Sequence, residues 1–286
     1  MRLGEHRALT PLGAPEQLLE LCQPQQDDDP PPTADNPTLT ADLLEIYFTS
    51  TRVTELGEGD ARGDVWFARR GSPSDPFEDP QPLPADVNSN VRETSPAISP
   101  DGLTLWLGSE RGGGDDPDVN IFRSTRSDRD SGRWSSPEPE DALNSKAKDI
   151  PRPLGQHDQV MPLASQRDSS LYATFFATRD ADGAFGSPQP MPELAVPPRS
   201  TVDGFLTDDG LVFLFNAEPA EGQGDLYLSR RSSLTAPFEA PIPLVELNTA
   251  GDERDPWLNA QEDRLFFSSD RDGPLCIYWV PVELAR

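Results

Sequence analysis

A short motif recurs five times along the chain and constrains the fold more than any other feature of the sequence. In each copy an aromatic residue or Leu is followed, after two residues, by Pro. A regular period of tens of residues is typical of proteins that repeat one supersecondary unit. The sequence therefore predicts one repeated array rather than several unrelated domains. The copies are spaced 51 to 65 residues apart and begin at Leu12, Phe77, Trp134, Phe185 and Phe238.

Each repeat carries turn and strand signals that predict four antiparallel strands. Asp101-Gly102 and Asp209-Gly210 each separate two apolar stretches, which is a strong hairpin signal. The stretches 44–48, 103–107 and 211–215 are rich in aliphatic and aromatic residues, as expected of strands with a buried face. With 32 prolines and 21 glycines, turns should be frequent and long helices absent. We expect an all-β fold.

The fifth repeat ends after its third strand, and a matching fourth strand lies at the other end of the chain. Residues 12–22 resemble residues 238–248, which end the fourth repeat. Pairing of this segment with the last repeat would close the array into a five-bladed β-propeller with four-stranded blades, an arrangement that protects sheet edges. The third blade is the least regular, and its third strand is expected at 171–175. The predicted segments are a closing strand at 12–22, a linker at 23–33 and blades at 34–88, 89–144, 145–195, 196–248 and 249–286.

The two cysteines align with positions that face each other in the other repeats. Cys276 begins the third strand of blade 5, and Cys22 ends its fourth strand. Facing positions of an antiparallel hairpin lie within disulfide distance, so we predict a Cys22–Cys276 disulfide, with two buried free thiols as the alternative. The disulfide would indicate an oxidising compartment. Structural polar pairs are expected at the same place in other blades: Asp64 with Asn88, Asn120 with Asn144, and Asp225 with Asn248.

Composition restricts the partners of the chain. The net charge of −26 disfavours nucleic acid and anionic membrane surfaces, because phosphate binding requires clustered Lys and Arg. No apolar run approaches the roughly 20 residues of a membrane span. The first residues do not lead into a signal-peptide core, so the protein is either cytoplasmic or has lost its signal peptide. No Cys or His cluster suits zinc and no complete calcium loop is present, so we expect neither a metal nor another cofactor.

Blade 2 carries a recognisable pattern. Residues 99–113 read Ser-Pro-Asp-Gly, an apolar strand, Ser-Glu-Arg and then glycines. This resembles the WD-like β-propeller repeat of TolB and of many bacterial cell-envelope proteins. Blade 5 has Ser-Asp-Arg at 269–271 and blade 1 has Ser-Thr-Arg at 50–52, whereas blade 4 has Asn-Ala-Glu at 216–218. The resemblance implies a periplasmic or extracellular binding or scaffolding module.

Polar residues are expected to converge where the inner strands begin. The loops that enter the inner strands and those that join strands 2 and 3 share one face of a propeller, around the mouth of its channel. Such a mouth is a common ligand site. We expect an unidentified protein or carbohydrate ligand and no catalytic residue, although any one of these side chains could instead pair between blades. The candidates are Asp35, Arg52, Glu93, Arg111, Arg152, Asp203, Asp255 and Arg271.

The alternative function is that of a carbohydrate-active enzyme. Five-bladed propellers include glycoside hydrolases with three carboxylates at the channel. Paired carboxylates can act as acid and as base or nucleophile when they lie roughly 5–10 Å apart. Asp35, Glu93, Asp203 and Asp255 are the candidates for such a group. Arg152 at the aligned position of blade 3 departs from that arrangement.

Overall fold

The computed structural model describes residues 9–23, 31–54, 63–112, 118–130 and 132–285. These residues form 21 β-strands and two short 3₁₀ helices, Leu19–Leu21 and Pro192–Leu194. In this described part, no helix is both long and apolar enough to cross a membrane. Most of the predicted linker at 23–33 lies outside the described residues.

The strands form five sheets. The N-terminal segment contains β1 (Leu9–Pro11) and β2 (Glu16–Gln17). Blade 1 consists of β3 (Ala34–Leu39), β4 (Glu45–Ser50), β5 (Asp64–Arg69) and β6 (Gln81–Pro82). Blade 2 consists of β7 (Glu93–Ile98), β8 (Thr104–Ser109), β9 (Asn120–Thr125) and β10 (Glu138–Pro139). Blade 3 consists of β11 (Asp149–Pro151), β12 (Val160–Ser165), β13 (Ala173–Thr178) and β14 (Gln189–Pro190). Blade 4 consists of β15 (Ser200–Leu206), β16 (Val212–Glu218), β17 (Asp225–Arg230) and β18 (Ile242–Pro243). Blade 5 contains β19 (Glu253–Leu258), β20 (Arg264–Ser269) and β21 (Cys276–Leu284).

The N-terminal strands close the ring as the repeat predicts. Each sheet is antiparallel, and in blade 5 the order β19-β20-β21 continues into β1 and β2. Glu16 lies opposite Trp279, and Leu9 lies opposite Leu284. The five-bladed all-β architecture and its closure are therefore confirmed. The third strand of blade 3 begins at Ala173, two residues later than predicted.

Apolar side chains of adjacent sheets pack between the blades. Tyr47 of blade 1 lies in one cluster with Leu105 and Trp134 of blade 2, and Phe176 of blade 3 packs against Phe213 of blade 4. These side chains come from the alternating apolar positions of the strands, whose successive side chains point to opposite faces of a sheet. Because each sheet buries both faces, every blade depends on its two neighbours.

The aromatic residue of the recurring motif is covered by an arginine that ends or follows the third strand. This cation–π contact, which contributes roughly 0.5–2 kcal/mol, holds the start of the fourth strand against the blade. In the first copy Leu12 is instead 61% exposed, and β21 continues to Leu284 to pair with β1. The guanidinium-to-ring distances are 4.2 Å for Arg70–Phe77, 4.6 Å for Arg126–Trp134, 4.6 Å for Arg179–Phe185 and 4.7 Å for Arg231–Phe238.

Cys22 and Cys276 form the predicted disulfide, with Cα atoms 5.7 Å apart. The equivalent polar pairs differ in detail from the prediction. In blade 1, Asn88 binds the backbone of Val65 rather than the side chain of Asp64: Oδ1 accepts from N–H at 3.0 Å, and Nδ2 donates to C=O at 3.0 Å. We call this two-bond contact the amide clamp. In blade 5 the disulfide replaces it.

Candidate functional site: the channel ring and its charged rim

Four inner strands bulge at the same point of the repeat. Register shifts occur in β3, β7, β15 and β19, where Asn36, Ser95, Asp203 and Asp255 adopt φ values between +45° and +57°. Residues other than Gly seldom adopt such φ values. Each of these four residues is followed by Pro or Gly. Pro has no N–H to donate to a neighbouring strand, and a bulge interrupts the strand hydrogen bonds at this point, so Pro and Gly are tolerated there. Arg152 takes the corresponding position in blade 3, after the short strand β11. These five residues, one from each blade, form the channel ring.

Hydrogen bonds join the channel ring across the blades. Arg152 Nη1 donates to Asn36 Oδ1 at 2.7 Å and to Asp203 Oδ1 at 2.9 Å, and it lies 4.0 Å from Asp255 Oδ1. Ser95 Oγ donates to Asn36 Oδ1 at 2.8 Å, and the Asn36 N–H donates to Asp255 Oδ2 at 3.0 Å. All five residues are at most 8% exposed. The ring therefore closes the channel at this level with a buried polar network.

Asp203 and Asp255 form a close carboxyl pair within the ring. Burial, and next the Asp255 carboxylate, raise the pKa of Asp203 well above its ordinary value, although Arg152 opposes the shift. Asp255 Oδ1 is buried and accepts no hydrogen bond from the described donors. The ring thus favours the protonated form of Asp203 more than water does, and Arg152 is the cation that lies beside both carboxyls.

A second charged group lies beside the ring and extends towards solvent. Arg254 Nη2 lies 2.8 Å from Asp35 Oδ2, its Nη1 lies 3.6 Å from Asp252 Oδ2, and its Nε lies 3.7 Å from Asp255 Oδ2. Glu218 lies at the end of β16. We call this group the channel rim, which consists of Asp35, Glu218, Asp252 and Arg254. With three carboxylates and one guanidinium, the rim carries excess negative charge.

Burial shifts the pKa values of the rim in one direction. It raises the pKa of Asp35, Glu218 and Asp252, and in each case Arg254 opposes the shift. Burial, followed by the charge of Asp203, raises the pKa of the neighbouring Tyr172 to about 12. Protonation of these carboxyls is thus made easier than in water. Among the described residues, no group of three or more His, Cys, Asp or Glu side chains is placed to hold a metal ion.

The channel becomes apolar at the opposite ends of the inner strands. A cavity of about 90 Å³ lies there. This cavity and the channel rim thus lie at opposite ends of the inner strands. The apolar side chains that line the cavity include Leu39, Ile98, Leu154, Phe205, Trp257 and Leu258.

The predicted arginines other than Arg152 lie in contacts between blades. In blade 2, Arg111 Nη2 donates to the backbone C=O of Val87 in blade 1 and pairs with the fully buried Glu93 at 3.0 Å. Of the eight predicted residues, the structure thus brings Asp35, Arg152, Asp203 and Asp255 to the channel. Equivalent contacts to the preceding blade are Arg52 with Leu21 O at 2.5 Å, Arg271 with Leu247 O at 2.6 Å, and the unpredicted Arg167 with Leu143 O at 2.7 Å.

Comparison with known proteins places the chain by fold. No protein-family model matches it, and no curated protein sequence matches it. Among solved structures, it is similar to the catalytic domain of a family GH62 α-L-arabinofuranosidase of Coprinopsis cinerea, with a TM-score of 0.59, 12% identity, and 92% and 94% of the two chains covered. The α-L-arabinofuranosidase of Podospora anserina, solved with cellotriose, gives a TM-score of 0.58, 11% identity, and coverage of 92% and 94%. A putative TolB of Agrobacterium tumefaciens gives a TM-score of 0.51 and 14% identity, with 84% of this chain and 70% of that chain covered. At these identities the likeness is one of fold.

Two rim residues, Asp252 and Arg254, were not predicted from the sequence. Arg254 directly precedes Asp255, just as Asp35 directly precedes Asn36. Opposite charges at the same repeat position of adjacent blades 5 and 1 were a signal for the Arg254–Asp35 pair. Asp252 had no comparable signal, whereas Glu218 follows the predicted second strand of blade 4, in the set of loops that the sequence placed at the channel mouth.

Proposed function

We propose that this propeller is a non-enzymatic binding module whose ligand docks on the acidic face around the channel rim. The observation that carries the proposal is the state of the channel ring. Arg152 crosses the ring and pairs with Asp203, and all five ring residues are buried, so the channel holds a polar plug at this level. The hydrogen-bonded ring holds the inner strands in fixed positions, and binding residues carried by rigid strands are well placed to contact a ligand.

The burial of the ring carboxyls supports binding over hydrolysis. In two-carboxylate glycoside hydrolysis the reacting sugar carbon lies between the two carboxyls, so both must be open to the substrate. Asp203 and Asp255 are almost completely buried, at 7% and 0% exposure. Arg152 Nη1 lies beside both, 2.9 Å from Asp203 Oδ1 and 4.0 Å from Asp255 Oδ1.

The ligand is proposed to be a protein segment that carries Lys or Arg. The rim has three carboxylates, and Arg254 is the cation in direct contact with two of them, Asp35 and Asp252. The net charge of −26 would accelerate association with a basic partner and make it sensitive to salt. Asp35 and Glu218 are the proposed anchoring groups, because each has its pKa raised by burial that a cationic partner would offset.

We further propose that the module is of the TolB type and works in the bacterial envelope or outside the cell. The disulfide supports an oxidising compartment. The repeat pattern of blade 2 and the fold shared with a putative TolB support the same assignment.

A carbohydrate-active enzyme is the second candidate. Glu218 favours it, since burial raises its pKa as in the general acids of glycosidases. The arabinofuranosidases with the same fold suggest furanosides as the substrates to test.

The test combines binding and turnover measurements. A lysine-alanine repeat peptide is titrated calorimetrically into the native protein at low and at high salt. The same titration is made with a rim variant that combines Asp35→Asn, Glu218→Gln and Asp252→Asn. The control variant makes the same kinds of change at exposed sites: Glu78→Gln, Asp79→Asn and Glu239→Gln. Salt-sensitive binding lost only in the rim variant is expected. Equal loss in both variants would reduce the effect to bulk charge and overturn the proposal. Turnover of a p-nitrophenyl arabinofuranoside or of arabinoxylan that disappears in Glu218→Gln would establish the second candidate instead.

A further inference from the structure

The amide clamp recurs in three blades with the same geometry. In each, an Asn in the segment that follows the fourth strand binds the backbone N–H and C=O of the second residue of the third strand. The side chain fills the gap between the two outer strands. The paired distances, N–H first, are 3.0 and 3.0 Å for Asn88 on Val65, 2.7 and 2.9 Å for Asn144 on Ile121, and 2.8 and 3.1 Å for Asn248 on Leu226.

Blade 3 keeps the receiving backbone and lacks the amide. The 3₁₀ helix Pro192–Leu194 leads into Ala195, which takes the position of the clamp Asn. Thr174 is the second residue of β13, and its C=O accepts from the Met191 N–H at 3.0 Å. In an antiparallel strand the N–H and C=O of one residue point to the same side. The Thr174 N–H therefore also faces the fourth strand, where no described side chain accepts from it.

A groove of about 320 Å³ opens at this point between blades 3 and 4. Its floor includes Thr174 and Ala195, and its walls include Tyr172, Met191 and Pro192. Leu171 at its edge is 37% exposed. The volume exceeds one amide side chain, so neighbouring residues of a ligand would also be accommodated. Arg199 at the opposite wall is already paired with Asp225 at 2.9 Å.

We propose that this groove is a binding slot for the carboxamide side chain of an Asn or Gln in an extended segment of a partner protein. The carboxamide oxygen accepts from the Thr174 N–H, and the carboxamide nitrogen donates to the Thr174 C=O. That C=O has a second lone pair free, just as Val65 O accepts from both Leu83 N–H and the Asn88 amide. The ligand thus supplies from outside the group that Asn supplies from within the chain in blades 1, 2 and 4.

The chemistry of the slot selects a carboxamide over similar groups. A carboxylate lacks the donor for the Thr174 C=O and is repelled by a chain of net charge −26. An aliphatic side chain leaves the Thr174 N–H without an acceptor, which costs free energy when that group is buried. The exposed apolar wall at Leu171 offers contact area to residues beside the amide. The slot uses the outer strands of blade 3 and none of the rim residues, so the inference does not depend on the proposed function.

The test uses the full chain, labelled with ¹⁵N, and three capped tripeptides, Ac-Ala-Asn-Ala-NH₂, Ac-Ala-Asp-Ala-NH₂ and Ac-Ala-Leu-Ala-NH₂. The Asn peptide is expected to shift the Thr174 amide signal saturably. The other two peptides should have affinities at least about tenfold lower, because loss of such a hydrogen-bond pair costs on the order of 1.4 kcal/mol of binding free energy. Equal shifts from all three peptides, or no shift at millimolar Asn peptide, would overturn the proposal.

Two variants at one position separate occupancy of the slot from a general change of structure. Ala195→Asn should restore the internal clamp, raise the melting temperature and abolish peptide binding. Ala195→Leu should block the slot and abolish binding without that increase. Retention of Asn-peptide binding by both variants would place the peptide elsewhere and contradict the proposal.

Discussion

Arg152 of blade 3 donates a hydrogen bond to Asn36 of blade 1, with an N–O distance of 2.7 Å, although the two blades are not neighbours in the ring. The same Nη1 contacts Asp203 of blade 4 at 2.9 Å. One buried guanidinium therefore connects three blades across the centre of the propeller. Its charge also compensates the carboxyl pair beside it.

Replacing this guanidinium should be severely destabilising. Arg152→Leu removes the cation that is paired with the buried Asp203, and breaking a buried pair from one side costs about 3–5 kcal/mol. The measurement is the free energy of unfolding in urea. The matched control is Arg123→Leu, whose side chain is 47% exposed and lies 3.4 Å from Glu140, and which should change stability by less than about 1 kcal/mol. Similar losses in both variants would mean that Arg152 does not hold the ring together.

The pH dependence of stability should carry the signature of Asp203. A carboxyl whose pKa is higher in the folded than in the unfolded state binds more protons when folded, so the free energy of unfolding falls as pH rises through that interval. For Asp203 the interval begins near its ordinary value of 3.8 and extends upwards. Asp203→Asn should therefore gain stability relative to the native chain as pH rises from 4 to 8. Urea unfolding at several pH values measures this, with exposed Asp79→Asn as the control. Parallel profiles for native and Asp203→Asn proteins would exclude a raised pKa.

The disulfide should contribute a large part of the stability. It joins residues separated by 254 positions, and the chain-entropy model gives on the order of 5 kcal/mol for a loop of this length. A reducing agent, or Cys22→Ser with Cys276→Ser, should lower the melting temperature strongly. Alkylation followed by intact mass measurement should add two adducts only after reduction. Two adducts on unreduced protein would disprove the bridge.

The first residue of the recurring motif should contribute different amounts to the free energy of unfolding in different copies. Phe238 is 4% exposed and lies 4.7 Å from the Arg231 guanidinium, so Phe238→Ala should cost about 3–5 kcal/mol. Leu12→Ala changes the same motif position where the side chain is 61% exposed, and should stay within about 0.5 kcal/mol of the native value. Denaturant midpoints compare the two. A large loss in Leu12→Ala would show that the first copy packs like the others.

The sequence was informative wherever a position could be compared across repeats. The blade number, the N-terminal closure and the Cys22–Cys276 pairing all followed from aligned positions. The alignment also collected the five positions of the channel ring. It did not show that Arg152 would cross the ring, because the direction of a side chain depends on the backbone geometry at its position. For Arg111 the alignment predicted the face of the propeller but not the hydrogen-bond partner. That partner is the backbone carbonyl of Val87, and every residue has such a carbonyl, so the sequence does not single it out.

The closing strand has a consequence for the order in which this protein is made. Cys22 leaves the ribosome long before its partner, and β2 has no strand to pair with until β21 has been synthesised. Contacts that are so distant in sequence form late, after local hairpins have folded. The Cys22–Cys276 bond can therefore form only once blade 5 has been translated. Its presence in a nascent or secreted chain would report that the ring had been completed.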